Sequence, residues 1–303
     1  MAAPASVIPH FPNPDRLVPH PGRLGGVAAE TALRICALLP EAETAVSTLQ
    51  CAVAAGSGFQ CEICAVHVGF DSRSALASAE EQDIQLLRDL YEGGPQARSS
   101  RIKAAFDSFL ATTPDAPPML WRNDPGAIAA NVAREANAAD LVVIGRPIHL
   151  DAADALHGAL FDARRLVLVA PRTASAARTI GRHIVVGWKP GAPIEQAATA
   201  ALPWLRRAEK VSLLWAPKPG AEPYESSARA FFSQCGVTVD MIRIERDGLS
   251  VGARLLAETR RLGGDCLLIG AFRHGGLWQA VLGGVTRDVL AQADLPVFMM
   301  RAK

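Results

Sequence analysis

The sequence predicts an α/β protein built from two tandem units, each a parallel sheet with helices on both faces. Three observations predict it. Short apolar runs alternate with amphipathic helical patterns along most of the chain. The runs are nearly continuous in apolar residues, as strands covered on both faces must be. The order of elements also restarts. Ala139-Asp140-Leu141-Val142-Val143-Ile144-Gly145 matches Gly264-Asp265-Cys266-Leu267-Leu268-Ile269-Gly270 class for class. Each copy follows an amphipathic helix and precedes a loop, a helix and a last apolar strand, which is an internal repeat.

Taken in order, residues 33–39 read as a first buried strand ended by Pro40. Residues 41–55 read as a helix with Val46, Leu49 and Val53 on one face, closed by Gly56 and Gly58. Residues 61–70 form a second strand. A helical region over 80–110 follows, interrupted at Gly93-Gly94-Pro95. Residues 119–121 are a short third strand, and Asp124-Pro125-Gly126 turns into a helix using Ile128, Val132 and Ala136. Residues 140–145 and 165–170 are the fourth and fifth strands. A linker of small and basic residues, 172–178, separates the repeats. The second repeat then runs strand 183–188, helix 193–207, strand 210–216, helix 224–235, strand 237–244 and helix 251–262. It closes with strand 266–269, a Gly-rich loop, a helix over 285–293 halted by Pro296, and a last strand at 297–300.

Composition bounds the function. The 303 residues suit about two domains. Lys plus Arg is 31 against 30 for Asp plus Glu, a net charge of +1, which excludes a broad nucleic-acid-binding face. No stretch is apolar for long enough to span a bilayer. Residues 1–30 begin with a proline-rich segment lacking an apolar core, so they read as a disordered arm, or as upstream sequence outside the fold, rather than a secretory signal. The domains are then 31–173 and 180–303. Six unevenly spaced cysteines do not make a disulfide scaffold and suit a reducing, cytoplasmic setting.

Several chemical candidates fall away. Cys61-Glu62-Ile63-Cys64 has redox spacing, but residues three apart on a strand point to opposite faces, and no second ligand pair follows. His149, His157 and His274 lie in or near the two loops without an acid or nucleophile at motif spacing. Trp188 and Trp278 could stack on a base, though Trp at a strand end more often packs. No Walker A, G-x-S-x-G or HExxH motif is present.

With both halves laid out, the chain resembles a tandem universal stress protein over about 32–301. IVVGWKPGAPIEQAATAALPWL resembles the family's first strand and helix, and LLIGAFRHGGLWQAVLGGVTRDVLAQADLPVFMMR its signature strand, loop, helix and last strand. LVVIGRP followed by RLVLVAP resembles the degenerate first domain of tandem members. The resemblance implies two flavodoxin-like (Rossmann-type) domains, each with a five-stranded parallel sheet. It also implies an intramolecular pseudo-dimer setting 165–170 against 297–300, and it leaves a homodimer open.

The resemblance further implies a site for ATP or another adenine nucleotide in the second half. The family pattern is Gly, two residues, Gly, nine residues, then Gly followed by Ser or Thr. Its positions here are Gly270, Arg273, Gly283 and Gly284, with His274 and Val285 beside them. Gly187, Trp188 and Lys189 follow the half's first strand, where nucleotide-binding members carry an acid. Glycines let backbone N–H groups approach a phosphate, and a helix N-terminus favours the anion. Three positions depart from the pattern. Arg273 either pairs with a phosphate or fills the pocket. Gly284 lacks the hydroxyl, and Lys189 has the opposite sign to the acid. The first half carries Pro40 at the acidic position and no spaced Gly pair after Gly145. The bland reading of such glycines is chain turning and close helix packing. The implied function is a non-catalytic stress-response protein whose second half senses an adenine nucleotide or another anion. The alternatives are a weak nucleotide hydrolase, for which Asp288 is the nearest acid, and a pure interaction protein with both sites lost.

Overall fold

The apolar runs become strands in a computed structural model that describes residues 32–71, 79–173, 180–215, 225–245, 248–271 and 283–301. The first half runs β1 (Leu33–Leu38), α1 (Ala45–Gly56), β2 (Cys61–Phe70), α2 (Ala79–Glu92), α3 (Pro95–Thr112), β3 (Met119–Gly126), α4 (Ile128–Asn137), β4 (Leu141–Gly145), α5 (Leu150–His157) and β5 (Val167–Ala170). A single π-helical turn, Gly158–Asp162, follows α5. The second half runs β6 (His183–Gly187), α6 (Ala192–Ala200), α7 (Leu202–Arg207), β7 (Lys210–Trp215), α8 (Glu225–Gln234), β8 (Asp240–Arg243), α9 (Val251–Arg261), β9 (Cys266–Ala271), α10 (Gly284–Gln292) and β10 (Val297–Arg301).

The strands join in one sheet of order β3-β2-β1-β4-β5-β10-β9-β6-β7-β8. Each half therefore repeats the order 3-2-1-4-5 with parallel pairs throughout. The seam is antiparallel, with Val297, Phe298 and Met299 opposite Val169, Leu168 and Val167. One apolar layer packs beneath α1, α3, α6, α7 and α8, and the other beneath α4, α5, α9 and α10. Both layers run across the seam. Trp204 of α7 donates its indole N–H to Ala55 O at 2.8 Å and packs its ring 5.3 Å from Phe298. On the opposite face the Arg301 guanidinium lies 5.4 Å from the Phe161 ring.

The repeat is reproduced in detail. Ile35 pairs with Leu141 and Ile184 with Cys266, which sets the correspondence of the two halves. Asp140 accepts the backbone N–H of Arg34 at 2.8 Å, and Asp265 accepts those of Gly181 and Arg182 at 3.1 and 2.8 Å. The matched acids thus tie the start of each fourth strand to the start of its neighbouring first strand.

Three elements depart from the sequence reading. The helix read over 193–207 is two helices, because Pro203 lacks an N–H and its ring crowds the carbonyl four residues back. The third strand runs on through Asp124, Pro125 and Gly126, paired with β2 as far as Phe70. It lies at the sheet edge, where proline withholds no needed ladder bond. The first helix starts at Ala45 rather than at 41, because Glu41 is engaged in another role.

Candidate functional site

In each half the first and fourth strands are neighbours, and their connections leave the carboxyl edge toward opposite faces. That is the crevice where ligands bind in open α/β sheets. Counting on from the strand register, Leu39 corresponds to Trp188, Glu41 to Pro190 and Thr44 to Pro193. Leu39 and Trp188 make the same bond, each donating its N–H at 2.8 Å, to Val66 O and Leu214 O respectively. In the same way Gly145 corresponds to Gly270. Counted along the sequence alone, Ile148 and His149 match Arg273 and His274.

The first-half crevice is occupied by the chain itself. Glu41 is 4% exposed. Its carboxylate accepts the backbone N–H of His149 at 2.9 Å, that of Ile148 at 3.2 Å on each oxygen, and the Thr44 hydroxyl at 2.9 Å. Burial pushes this carboxyl above the ordinary glutamate range, and the hydrogen bonds from His149, Thr44 and Ile148 partly offset that. An anion on successive loop N–H groups is what a phosphate cradle provides for, and here a side chain fills the place. The family pattern places its acid one residue earlier, at Pro40, and so does not mark Glu41. The usable signal was an acid directly after the strand and turn.

A cavity of about 410 Å³ opens beside Glu41, its lining including Glu43, Glu92, Arg98, Arg101 and His149. His149 Nδ1 lies 3.3 Å from Glu92 and Nε2 3.6 Å from Glu43. Behind it, buried Arg88 pairs with buried Asp151 and, at 2.8 Å, with Glu92. Asp151 also accepts the N–H of Phe70 at 3.2 Å. His67 donates from Nδ1 to Leu39 O at 2.9 Å, and burial holds its pKa below the ordinary histidine value.

The second-half crevice is differently made. Gly187 ends β6 beside Ile269. Trp188 is buried and tilts against Phe231 and Phe232 at 5.7 and 5.4 Å. Its ring therefore belongs to the core and is not presented to a base. Lys189 is exposed. Gly270 presses on the start of α6, where an added Cβ would stand 3.0 Å from the Ile194 N and the Pro193 carbonyl carbon. Gly145 does the same in the first half, 2.3 Å from Thr44 Cβ. Close helix packing thus accounts for both glycines without a ligand. Gly283 is the N-cap of α10; among the described residues no side chain caps the helix and nothing stands within 4 Å of a Cβ added at Gly284. Val285 is half-buried. Thr286 is fully buried with its hydroxyl unpartnered, so this first turn does carry a hydroxyl. Arg273, His274, Gly275, Gly276 and Trp278 lie outside the described residues.

Other candidates separate. Asp288 sits at the α9–α10 contact, its Cβ 2.7 Å from where a Cβ on Gly252 would be. Cys61 packs with the layer beneath α1 and Cys64 with the layer beneath α4, and all six thiols are free. His157 lies 3.9 Å from Asp162, away from the crevice residues. Among the described residues no cluster of three or more His, Cys, Asp or Glu side chains could hold a metal ion. Nor is any helix there long and apolar enough to cross a membrane.

The class these features define is a tandem doubly wound α/β protein whose halves share a sheet through their last strands. Solved structures with this fold include a universal stress protein from Archaeoglobus fulgidus, with a TM-score of 0.57 and 12% identity over 89% of this chain and 96% of that one. A functionally unknown protein from Pseudomonas aeruginosa has a TM-score of 0.51 and 13% identity over 89% and 93%. The fold is therefore that of a two-domain universal stress protein. No protein-family model matches the sequence, and none of the curated proteins does.

Proposed function

We propose that this is a non-catalytic stress-response protein of the universal stress type, whose second half senses an adenine nucleotide or another anion. One observation carries the reading. The first half supplies its own carboxylate, Glu41, to the loop N–H groups of Ile148 and His149. The second half has Pro190 at the corresponding place, so it supplies no carboxylate there. The start of α10 at Gly283 and Gly284, without a side-chain cap among the described residues, offers N–H groups to an anion. On this reading the first half is a structural partner, its pairing with the second makes an internal pseudo-dimer, and six free thiols suit the cytoplasm.

The test is a thermal-shift titration of the full chain with ATP, ADP and AMP, with and without magnesium, alongside a phosphate-release assay. The expected result is a saturable rise in Tm with at least one nucleotide, lost in Arg273→Glu, without turnover. A flat response at millimolar nucleotide sinks the sensor reading. It would leave the pure interaction protein, which the packing roles of Gly270 and Trp188 favour. Phosphate release abolished by Asp288→Asn would point to a hydrolase instead.

A further inference from the structure

Among the described residues the outer face of α2 has no partner. Leu86, Leu87, Leu90 and Tyr91 are 68%, 59%, 75% and 83% exposed. Their spacing places all four on one side of the helix, while Arg88 beside them is buried. Contiguous apolar side chains at that exposure mark an interaction surface. The seam strands β5 and β10 are consumed internally. The free sheet edges, β3 and β8, carry Arg122 and Asp124, and Asp240 and Arg243, charges that discourage strand addition.

We propose that this face docks a second copy of the chain, with two α2 helices packed antiparallel about a two-fold axis. The pattern of the face is self-complementary. About a point midway between Leu87 and Leu90, Leu87 of one copy meets Leu90 of the other, and Leu86 meets Tyr91. The same operation sets Asp83 opposite Gly94. At that end Arg101 reaches over the helix terminus, donating to Glu92 O with Nη1 beside Gly93. Asp83 and Arg101 are both exposed, and neither has a charged partner among the described residues. The axis therefore brings the free acid at one end of the strip to the free cation at the other, twice per dimer. An isologous interface requires that arrangement.

The experiment is sedimentation equilibrium or light scattering of the full chain across the micromolar range, with circular dichroism confirming the fold of each variant. Wild type is expected at about twice the chain mass of 32.1 kDa. Leu87→Lys is expected to be monomeric throughout. Asp83→Arg and Arg101→Asp are each expected to weaken the dimer about tenfold, since each sets like charges together twice. The double variant, Asp83→Arg with Arg101→Asp, is expected to recover most of that loss. A monomeric wild type overturns the proposal, as does a dimer that none of these changes weakens or a double variant without recovery. A monomer in which residues 1–31 protect α2 from hydrogen exchange would assign the face to that segment instead.

Discussion

The two halves share a strand order and a register but bury different things. Among the described residues the buried charged groups lie in the first half: Glu41, Asp71, Arg88, Arg98, Glu135 and Asp151, with His67 nearby. The buried polar residues of the second half are Ser212, Thr259 and Thr286, and its crevice is backed by Trp188, Phe231 and Phe232. Buried charge must be paired and hydrogen-bonded, and a pair of this kind specifies geometry more than it stabilises. The first half is thus built around its own internal ion pairs. The second keeps an apolar wall and has Pro190 where the first has Glu41. Duplication here preserved the scaffold while the two crevices diverged.

The largest expected effect breaks the ion network. Arg88→Met should cost about 3–5 kcal/mol by leaving Asp151 buried and unpaired. Arg88→Met with Asp151→Leu should recover much of it. Denaturant unfolding of both, with Asp151→Leu alone, checks this, and a double-variant loss equal to the sum of the two single losses would show that the pair is not coupled.

A smaller effect tests Glu41. Glu41→Gly should cost about 1–3 kcal/mol, because the N–H groups of Ile148 and His149 lose their acceptor. Formate or acetate should then raise the Tm of that variant more than chloride does at equal ionic strength. No such difference would mean that the place is not an anion site.

The smallest effect is in the pH profile. Burial, with the Asp151 carboxylate nearby, raises Asp154 to about 6 from 3.8. The folded state then holds this proton where the unfolded state has released it, so stability falls as pH rises from 3.8 to about 6. Asp154→Asn should gain about 1–2 kcal/mol at pH 8 and nothing at pH 3. A variant whose gain is the same at both pH values would rule out titration as the cause.

Most of the fold was legible in the sequence because each strand is a short apolar run with a clear stop. The match of residues 139–145 to 264–270 marked the repeat for the same reason, and the tie made by Asp140 and Asp265 is a local bond that both copies needed. The misreadings were local conflicts. Pro203 was masked by a good helical face, and Pro125 looked like a turn because nothing in sequence says that a strand will lie at an edge. The candidate site was less legible. Gly270 and Gly145 read as a phosphate feature or a packing feature until the neighbouring helix is seen against them. Glu41 shows in sequence only as an acid after the strand and turn; its role does not, because its partners, Ile148 and His149, are more than a hundred residues away and present only backbone N–H groups.

The seam between β5 and β10 also orders events during synthesis. β5 is complete when Ala170 leaves the ribosome, but its partner is made of Val297–Arg301. Until those residues emerge, the nascent chain carries a bare apolar strand edge at what will become the middle of the sheet. The interval in which one chain could pair wrongly with another is therefore about half its synthesis time, and a chaperone that covers strand edges would matter most then.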